Sequence, residues 1–587
     1  MILQNITFEQ DQGIEAHDLF YRGNAVCDKR NKTLYFRKGQ EELFNTFFNS
    51  LSVKTWKKEC GINHVFMKIR GSGKFIVRFG LQKAYKPILW LGDHQVSLEA
   101  DEACIDMPFW EDLEQGLVFV GVTAISDGEI SGGGFFTNEP TRRDIKLGLV
   151  ITHFNRKKYV IPAVHRICQD VLNDTRYSNI YLVVVDNSKN LTRHELESND
   201  KVYLIPNTNV GGSGGFARGL LYLKDNGFSH CLFMDDDASC HEESIKRTYA
   251  YWSYVVDDRS MGISGILFDE NFPVTVLEAG GRWSERGGFG VFQKKNAGSI
   301  DDLTVMDSLG YSANYGAWCF FSFSVKSISH YPFPFFVRGD DILFSLQNNL
   351  KIITLLGVST WVDSFSNKES VFTQYLSARS QLIISIYAKR ASARSWFRLF
   401  VSQNRGCVGS YNYALSYATY KAYQDILCKT NLFTEDMKGE KFRGELQDIP
   451  AFDHVIPFIE FPQKMLKKRF WMGPMRKISL NCVLLPRFLL GSRAFVKKWQ
   501  PLTWKLTCFY RDCYCYNNDA GVMTCFRHNK IEIIKSFFRN FCMGVRIFMK
   551  FRCCNKKYET QLEKLTTENF WRRYFEKNDR YFEKNDR

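Results

Sequence analysis

The sequence predicts a multidomain α/β protein with three structured regions and a short tail. Short strands separated by turns fill residues 1–140, which predicts a β-sandwich. Apolar strands alternate with helices over 141–395, which predicts a Rossmann-like domain on a parallel sheet. Residues 396–557 are basic and read as mainly helical, and 558–587 is a tail that carries YFEKNDR twice in succession.

Length and composition fit a chain of several folded domains. A chain of 587 residues corresponds to three or four domains at roughly 150 residues each. Apolar residues make up 45% and charged residues 24%, which excludes a mainly disordered or fibrous protein. No run approaches the ~18 apolar residues of a membrane-spanning helix. The first 20 residues lack the pattern of a secretory signal, so we expect a cytoplasmic protein.

The strands predicted in the first region are short and bounded by turn residues. They are the runs KTLYFRK, HVFMKIRG, KFIVRFG and GLVFVGVTAI, each flanked by Gly, Asn or Asp. The glycine-rich stretch SDGEISGGGFFTNEP, at 126–140, is interpreted as the exit loop and linker to the next domain.

Four apolar strands in the second region each end in polar residues. They are KLGLVITHF, IYLVVVDNS, VYLIPN and HCLFMDDD. In an open parallel sheet, ligands bind beyond the carboxyl ends of the strands. We therefore expect a binding site among His153, Asn155, Arg156, Asp186, Asn187, Ser188, the segment 207–219, Asp235, Asp236 and Asp237.

The segment NTNVGGSGGFARG at 207–219 is neither of the common phosphate-binding motifs. Ala217 occupies the third glycine position of GxGxxG, and no GK[ST] follows. The segment's glycines have no side chains, so they would leave the backbone N–H groups at the start of a helix accessible to phosphate or sugar oxygens. The alternative is a tight turn that packs a strand against a helix.

Three consecutive aspartates follow the apolar strand HCLFM. Adjacent carboxylates repel one another, and a divalent cation relieves that repulsion. If the strand continues, Asp235 and Asp237 point to one side and hold Mg²⁺ or Mn²⁺, while Asp236 faces away. A solvated acidic turn is the alternative.

A second acidic pair, Asp340-Asp341, lies between an aromatic run and a helical run. At a helix N-terminus, one unpaired carboxylate can act as a general base toward a hydroxyl group. Simple capping of the helix by Asp340 is the alternative, and the two roles are compatible.

Positive charge is concentrated near the C-terminus. Residues 464–557 contain 21 Lys and Arg against three acids, a net charge of +18. The whole chain carries +15, so the remaining residues together carry −3. Within this block, 531–552 has the pattern of a basic amphipathic helix, which favours an anionic membrane surface. A stripe buried inside the protein is the equal alternative. No nucleic-acid partner is expected, because no recognisable binding module is present.

The 17 cysteines are scattered, and their spacing gives no metal signature. The group of four cysteines that most resembles a metal site contains no CxxC pair, so we interpret these four as thiols without a ligand role. They are Cys508, Cys513, Cys515 and Cys525.

The motifs THFNR, VVVDNS, NVGGSGGFARG, MDDD and GDD occur in that order. Together they resemble the galactofuranosyltransferases of glycosyltransferase family 2, which have a GT-A fold. FNTFFNSLSVKTW at 44–56 is similar to a segment of that family's N-terminal β-sandwich, so the resemblance spans most of 40–385. It implies a GT-A domain between a sandwich and a helical domain.

The resemblance also implies an activity and a set of site residues. The activity is inverting transfer of galactofuranose from UDP-galactofuranose to a hydroxyl of a growing, lipid-linked surface glycan. Asp341 is the implied catalytic base, assisted by Asp340, and Asp235 and Asp237 are the implied ligands of Mn²⁺ or Mg²⁺. The implied donor-binding residues are Arg156, Asp186, Asn209, Gly211, Gly212, Gly214, Gly215, Asp236 and Trp318.

The sequence departs from the family pattern at two positions. Ala317 replaces the first of two adjacent tryptophans. Val362 stands where the family has a histidine that completes the metal shell, and valine cannot coordinate a cation. Asp363 would point the opposite way on a strand, so we expect water to fill the position.

The expected partners follow from this resemblance. They are UDP-galactofuranose, a polyprenyl-linked glycan acceptor and the anionic inner face of the bacterial plasma membrane, where the protein would be peripheral. The sequence leaves open whether the protein forms a homo-oligomer. Two other functions remain as alternatives: a family-2 transferase with another donor, such as a rhamnosyl or galactopyranosyl nucleotide, and a non-catalytic glycan-binding protein.

Overall fold

The computed structural model describes most of the chain, in two compact units. The first unit comprises Met1–Pro332, Asp341–Ser364 and Thr567–Arg587, and the second comprises Phe333–Asp340 and Phe365–Thr566. The described residues are 1–9, 15–197, 199–237, 239–284, 287–309, 313–363, 369–457, 474–475, 478–496, 502–517 and 522–585.

The N-terminal part of the first unit is a ten-stranded antiparallel sheet. Its strands are β1 (Ile2–Asn5), β2 (Arg22–Gly23), β3 (Val26–Asp28), β4 (Thr33–Phe36), β5 (Glu41–Leu43), β6 (Leu51–Ser52), β7 (Phe66–Gln82), β8 (Leu89–Asp106), β9 (Leu117–Ala124) and β10 (Gly128–Phe136). The strand order is β2-β5-β9-β7-β10-β4-β3, with β1 paired to β10, β6 to β9 and β8 to β7. The predicted runs HVFMKIRG and KFIVRFG are both parts of the long strand β7.

The prediction of a loop and linker at 126–140 was wrong, because β10 lies there. β10 pairs with β1, β4 and β7. Its glycines are required by close backbone approach: a Cβ would lie 2.3 Å from the Lys68 carbonyl oxygen at Gly133 and 2.6 Å from that of Gln4 at Gly134. Glycine inside a strand marks such an approach as often as it marks a turn.

A mixed sheet follows in the first unit, with two smaller sheets beside it in the chain. The strands are β11 (Leu147–His153), β12 (Ile180–Asp186), β13 (Val202–Pro206), β14 (His230–Asp235), β15 (Ser239–Cys240), β16 (Met261–Ser264), β17 (Ile266–Asp269), β18 (Phe272–Ala279), β19 (Gly281–Ser284), β20 (Gly287–Gly290), β21 (Phe320–Ser324), β22 (Lys351–Ile353) and β23 (Ser359–Val362). The main sheet has the order β13-β12-β11-β14-β21-β16-β22, and the smaller sheets are β15-β23-β17-β18 and β19-β20. The strands β11 to β14 are parallel, as the sequence predicts.

The helices of this part are α1 (Lys157–Ile167), α2 (Gly211–Asp225), α3 (Glu242–Tyr254), α4 (Ile300–Ser308) and α5 (Asp340–Gln347). The glycine run lets α2 pack closely on β11. A Cβ would lie 2.3 Å from the Thr152 side chain at Gly215 and 2.2 Å from that of Val150 at Gly219. The packing alternative considered for this segment therefore holds for these two glycines.

The second unit contains helices and a four-stranded sheet. Its helices are α6 (Val371–Tyr387), α7 (Ala393–Gly409), α8 (Tyr413–Cys428), α9 (Glu440–Gln447), α10 (Trp504–Thr507) and α11 (Lys530–Leu565). The strands are β24 (His454–Pro457), β25 (Gly491–Val496), β26 (Tyr510–Asn517) and β27 (Val522–Arg527), in the order β24-β27-β26-β25. The region predicted to be mainly helical thus also contains a sheet. Cys508, Cys513 and Cys525 are buried here as free thiols, and Cys515 is half-buried.

The helix predicted within 531–552 is the N-terminal part of the 36-residue helix α11. Of the chain segment predicted as a tail, 558–565 ends α11 and most of the rest forms α12 (Glu568–Asn585) in the first unit. Arg572 of α12 pairs with Asp225 of α2 at 2.5 Å, so this segment is tied to the helix that follows β13. None of the described helices is long and apolar enough to span a bilayer.

Candidate active site

Three of the parallel strands end in acidic or imidazole side chains at one edge of the sheet. His153, Asp186 and Asp235 are the last residues of β11, β12 and β14. In the strand register, His153 pairs with Asp186, and Thr152 pairs with Asp235. The predicted cluster of polar groups at the carboxyl edge is therefore present.

Asp236 is the buried centre of this cluster. Its carboxylate lies 3.2 Å from Nδ1 of His153, accepts the backbone N–H of Phe154 at 3.2 Å, and lies 3.3 Å from Nη1 of Arg156. The prediction that Asp236 faces away from its neighbours was wrong. β14 ends at Asp235, so the alternation of a strand does not continue, and Asp236 and Asp237 share one guanidinium.

The aspartates favour the charged forms of the two basic side chains at this edge, His153 and Arg156. Burial opposes the charged form of His153, but its contacts with Asp236 and Asn190 outweigh that cost, so its pKa is raised. Burial likewise opposes the charge on Arg156, and the charges of Asp237 and Asp236 raise its pKa. Arg156 lies 2.5 Å from Asp237, which makes this pair the closest charged contact of the cluster.

Two of the predicted donor-binding residues shape the loops at the edge. The buried carboxylate of Asp186 accepts the backbone N–H groups of Ser188 and Leu191 at 2.9 and 2.8 Å. The Asn209 side chain accepts the N–H of Gly211 at 3.0 Å, where α2 begins.

The glycines predicted to bind the donor lie within the first five residues of α2, and Gly211 and Gly212 belong to its first turn. The full set is Gly211, Gly212, Gly214 and Gly215. Backbone N–H groups in the first turn of a helix have no partner within the helix and favour negative charge. Asn187 donates to the Gly211 carbonyl at 3.2 Å and accepts from Asn207 at 2.8 Å. These two buried amides, both within the segments expected to form the binding site, fix the turn before α2.

Asp235 and Asp237 offer hard carboxylate oxygens of the kind that suits Mg²⁺ or Mn²⁺. Asp235 accepts a hydrogen bond from the thiol of Cys319 at 3.3 Å, while Asp237 is paired with Arg156. Among the described residues, no group of three or more His, Cys, Asp or Glu is arranged to hold a metal ion. Asp235 and Asp237 therefore fit as two ligands, and the part of the chain that the structure describes adds no third.

Val362, in the position of the family's histidine, is a buried residue at the end of β23. It packs in an apolar cluster with Leu267, Ala317 and Cys319. Cys319 of this cluster contacts Asp235, so the apolar cluster that contains Val362 reaches the predicted metal site.

Trp318 is buried beneath the edge instead of standing at its surface. Its ring makes edge-to-face contacts with Phe216 of α2, Phe233 of β14 and Phe344 of α5, with centroids 5.1, 5.2 and 5.5 Å away. These contacts attach α5 to the strand that ends in Asp235. The Trp318 Nε1 group is buried with no hydrogen-bond partner among the described residues.

The helix α5 begins at Asp340, as the sequence predicts for the GDD motif. Asp340 is buried, and Oδ1 of Asp341 accepts the N–H of Ile342 at 2.8 Å. Asp341 therefore lies in the first turn of a helix, where the backbone N–H groups favour its negative charge.

The sequence analysis missed a carboxyl group near Asp341. Glu278 lies on β18, is buried, and is 3.4 Å from the hydroxyl of Tyr315. Burial, followed by the charge of Asp341, raises the pKa of Glu278 to about 8. Glu278 is thus a neutral acid at neutral pH. The sequence could have indicated this group, because Val276 and Glu278 are two residues apart and so lie on the same face of a strand. An acidic side chain that is buried with an apolar neighbour is costly unless it is neutral or paired.

The class of protein follows from this edge and from one family match. Residues 149–283 match the sequence model of glycosyl transferase family 2. The match covers the parallel strands and the aspartate cluster, and it defines a GT-A-like glycosyltransferase fold of mixed helices and strands. A role in glycosyl transfer is supported accordingly.

Two curated relatives make the similarity more specific. The chain is 22% identical over 376 residues to galactofuranosyltransferase GlfT2 of Mycolicibacterium smegmatis, covering 59% of this chain and 57% of that protein. It is 22% identical over 378 residues to galactofuranosyltransferase GlfT2 of Mycobacterium tuberculosis, covering 59% and 58%. The resemblance predicted from the motifs is therefore confirmed. The matched part spans less than two thirds of these relatives.

Among solved structures, mannosyl-3-phosphoglycerate synthase from Rubrobacter xylanophilus matches 43% of this chain and 79% of its own. The identity is 15% and the TM-score is 0.28. A likeness of that size carries no inference about this chain.

Proposed function

We propose that this protein transfers galactofuranose from UDP-galactofuranose to a hydroxyl group of a growing, lipid-linked surface glycan, with inversion at the anomeric carbon. The observation that carries the proposal is that Trp318 packs against both elements that carry the candidate acidic residues, β14 and α5. Trp318 packs against Phe233, two residues before Asp235, and against Phe344, three residues after Asp341. The order of the motifs and the similarity to the two relatives support the choice of sugar.

The donor diphosphate would bind at the carboxyl edge of β11 to β14. Arg156 would turn its guanidinium from Asp237 to the phosphate oxygens, and the N–H groups at the start of α2 would face them. Asp235 and Asp237 would hold Mg²⁺ or Mn²⁺, which offsets the charge that develops on the leaving UDP. Asp186 and Asn209 would keep the surrounding loops in place.

The acceptor would bind on the side of α5. The carboxylate of Asp341 would take the proton of the attacking hydroxyl as its oxygen bonds to the anomeric carbon opposite UDP. Asp340, the first residue of α5, would help position Asp341. Glu278 would keep its proton and so remain able to donate a hydrogen bond to an acceptor oxygen.

The proposal includes the predicted domain arrangement. A sandwich at 1–140 would precede the GT-A domain at 141–395, and the basic region at 396–557 would follow it. The protein would work in the bacterial cytoplasm, at the inner face of the plasma membrane, where polyprenyl-linked acceptors are extended.

The exposed face of α11 supports a membrane-facing role. The buried side of this helix includes Ile533, Met543 and Ile547. A second set of large apolar side chains on the helix is exposed: Ile531, Ile534, Phe537, Phe538, Phe541, Val545, Phe548 and Met549. This set lies within the block that carries +18. Apolar side chains flanked by Lys and Arg are the features with which a helix binds the surface of an anionic bilayer.

Vesicle flotation tests the membrane part. We expect the full chain to float with anionic vesicles at low salt and to be released partly at high salt, because attraction to headgroups is screened over ~8 Å at physiological ionic strength. The double variant Phe538→Ser/Phe541→Ser should bind less. The control Val256→Ser/Phe272→Ser removes two exposed apolar side chains from the first unit. Equal flotation of the two double variants would count against α11 as the membrane contact.

Turnover with a panel of donors tests the activity. UDP-galactofuranose, UDP-galactopyranose and a rhamnosyl nucleotide are each supplied with lipid-linked and synthetic acceptors, and the product linkage is determined. We expect transfer from UDP-galactofuranose, giving a β-galactofuranoside. Transfer only from another donor would replace the sugar in this proposal. Glycan binding without transfer from any donor would favour a non-catalytic glycan-binding protein.

A further inference from the structure

A cavity of about 270 Å³ lies in the first unit, and none of its lining residues was assigned to the candidate active site. Four segments line it: 54–58, the loop at 82–86, 115–117 and the C-terminal half of α4. Nine of its twelve lining residues are polar or charged, so charged and hydrogen-bonding groups border the cavity. The volume is near the lower limit, roughly 300 Å³, of small-molecule sites.

The lining is strongly positive. Lys54, Lys58, Lys83 and Lys86 border the cavity, against one acid, Asp307. Within the described part of the chain, no side-chain hydrogen bond or ion pair engages the ammonium groups of Lys58, Lys83 and Lys86. Like charges gathered around one cavity repel one another, and an anion relieves that repulsion.

The lysine-bearing segments are fixed to one another. Nε2 of the buried Gln82 donates to the Lys86 carbonyl at 2.6 Å and to the Lys83 carbonyl at 3.4 Å, which closes the loop. Gly116 has φ of 112°, and a Cβ there would lie 2.9 Å from the Gln82 carbonyl oxygen. Only glycine therefore lets this segment approach the loop.

The other wall is held by Asp307, in the last turn of α4. Its Oδ1 accepts the hydroxyl of Ser52 at 2.6 Å, and its carbonyl accepts Nζ of Lys54 at 3.1 Å. The one acid of the lining is thus engaged by Ser52, and the four lysines outnumber it.

We propose that this cavity binds an oxyanion, a phosphate or a carboxylate, carried on a saccharide. Lysine binds phosphate as a compact point charge with three donors, and the hydroxyl and amide side chains of the lining suit sugar hydroxyls. The proposal is independent of the transfer reaction, because it concerns a separate set of residues.

Calorimetric titration of the full chain with three probes tests the proposal. The probes are glucose 1-phosphate, glucuronate and uncharged glucose, each added with UDP present in excess so that the donor edge is filled. We expect at least one of the charged sugars to bind and glucose to fail. Binding of one charged sugar alone identifies the oxyanion. Failure of both, or equal binding of glucose, overturns the proposal.

Lysine variants locate the binding. Lys83→Ala/Lys86→Ala should weaken it at least about tenfold, the scale of a lost charge-assisted contact. The control Lys38→Ala/Lys74→Ala removes the same charge from two exposed lysines that do not line the cavity, one in the turn between β4 and β5 and one on β7, and it should bind as the parent does. If the double variant is unstable, Lys58→Ala is titrated in its place, because Lys58 is exposed and its substitution should not unfold the chain.

Equal affinity in the parent, Lys83→Ala/Lys86→Ala and Lys58→Ala overturns the assignment to this cavity. The result is separate from the proposed function. If the parent fails to bind UDP, the proposed donor site is contradicted. If the parent nevertheless binds a sugar phosphate and the lysine variants do not, the cavity proposal is supported.

Discussion

Two acidic clusters of the first unit handle negative charge in opposite ways. At the edge of the parallel sheet, Asp236 and Asp237 are paired with Arg156, and Asp236 also contacts His153. On the side of α5, burial and the charge of Asp341 cause Glu278 to keep its proton. We call them the ion-holding and the proton-holding cluster, after the roles proposed for them. In the proposed reaction the first would bind the diphosphate, while in the second Asp341 would deprotonate the hydroxyl group beside a neutral Glu278.

Removal of the base should have the largest effect. Asp341→Asn keeps the shape of the side chain but cannot accept a proton, so we expect transfer to fall by ~10²-fold or more. UDP binding should be unchanged, because the donor contacts belong to the other cluster. Steady-state transfer and calorimetric UDP binding are the measurements.

The control for this variant is Asp301→Asn, an exposed aspartate on α4. Parental transfer rates in Asp341→Asn would remove Asp341 from the role of base. Loss of UDP binding together with transfer would show that the two clusters are not functionally separate.

A substitution in the ion-holding cluster should act on the donor instead. Asp237→Asn removes one of two carboxylates proposed to hold the cation and leaves Arg156 without its closest partner. A hydrogen bond to a charged group contributes about 1.5–3 kcal/mol. We therefore expect UDP affinity in Mn²⁺ to fall about tenfold or more and its dependence on Mn²⁺ to disappear.

Fluorescence or calorimetric titration of UDP with and without chelator measures this effect. Asp112→Asn, at an exposed aspartate of the first unit, serves as the control. Equal UDP affinity of the parent in Mn²⁺ and in chelator would contradict the metal proposal, whatever Asp237→Asn does.

The proton-holding cluster should be visible in the pH dependence of stability. The pKa of Glu278 is raised from 4.5 to about 8, so the folded chain keeps a proton that the unfolded chain releases between these values. Its contribution to stability is therefore complete below about pH 4.5 and is lost as the pH rises toward 8. Each unit of pKa difference corresponds to about 1.4 kcal/mol.

Glu278→Gln tests that dependence. The amide has no charge to bury, so the variant should gain stability relative to the parent as the pH is raised from 5 to 8, and thermal unfolding at several pH values measures it. Glu114→Gln, at an exposed glutamate, should keep a constant difference from the parent. A constant difference in Glu278→Gln as well would mean that Glu278 is ionised throughout.

The strands and the aspartate edge were predictable because each has a strong local signal. The apolar runs before His153, Asp186 and Asp235 are strong signals, and the observed strands end one or two residues before the ends of the predicted segments. Failures arose where tertiary contact decides the outcome. β10 was read as a linker because its glycines look like turn residues until the neighbouring backbones are known.

The site was predictable in its membership and less so in its contacts. The orientation of Asp236 depended on whether the strand continued past Asp235, and a single-residue difference in strand length cannot be read from the sequence. Glu278 lies 63 residues before Asp341 in the chain, so its coupling to that residue arises only from folding. Trp318 was expected near the sugar site, and its role in joining α5 to β14 depends on three aromatic partners from separate elements.

The smallest expected effect concerns the residue that stands in place of the family's histidine. Val362→His would place an imidazole in the cluster that contains Cys319, whose thiol contacts Asp235. Imidazole favours the later transition ions. We therefore expect Mn²⁺ to bind several-fold more tightly, and Mg²⁺ binding to change less. The larger side chain should also cost about 1–3 kcal/mol of stability, because the site is packed.

Electron paramagnetic resonance of Mn²⁺ measures this affinity directly, without relying on activity. Val362→Leu enlarges the same side chain without adding a ligand, so it separates coordination from repacking. Equal Mn²⁺ affinity in Val362→His and Val362→Leu would mean that position 362 does not reach the ion. Tight Mn²⁺ binding in the parent that is lost in Asp363→Asn would show that Asp363, and not water, replaces the histidine. In that case the ion-holding cluster would contain a third carboxylate, and the contrast with the proton-holding cluster would be greater than proposed.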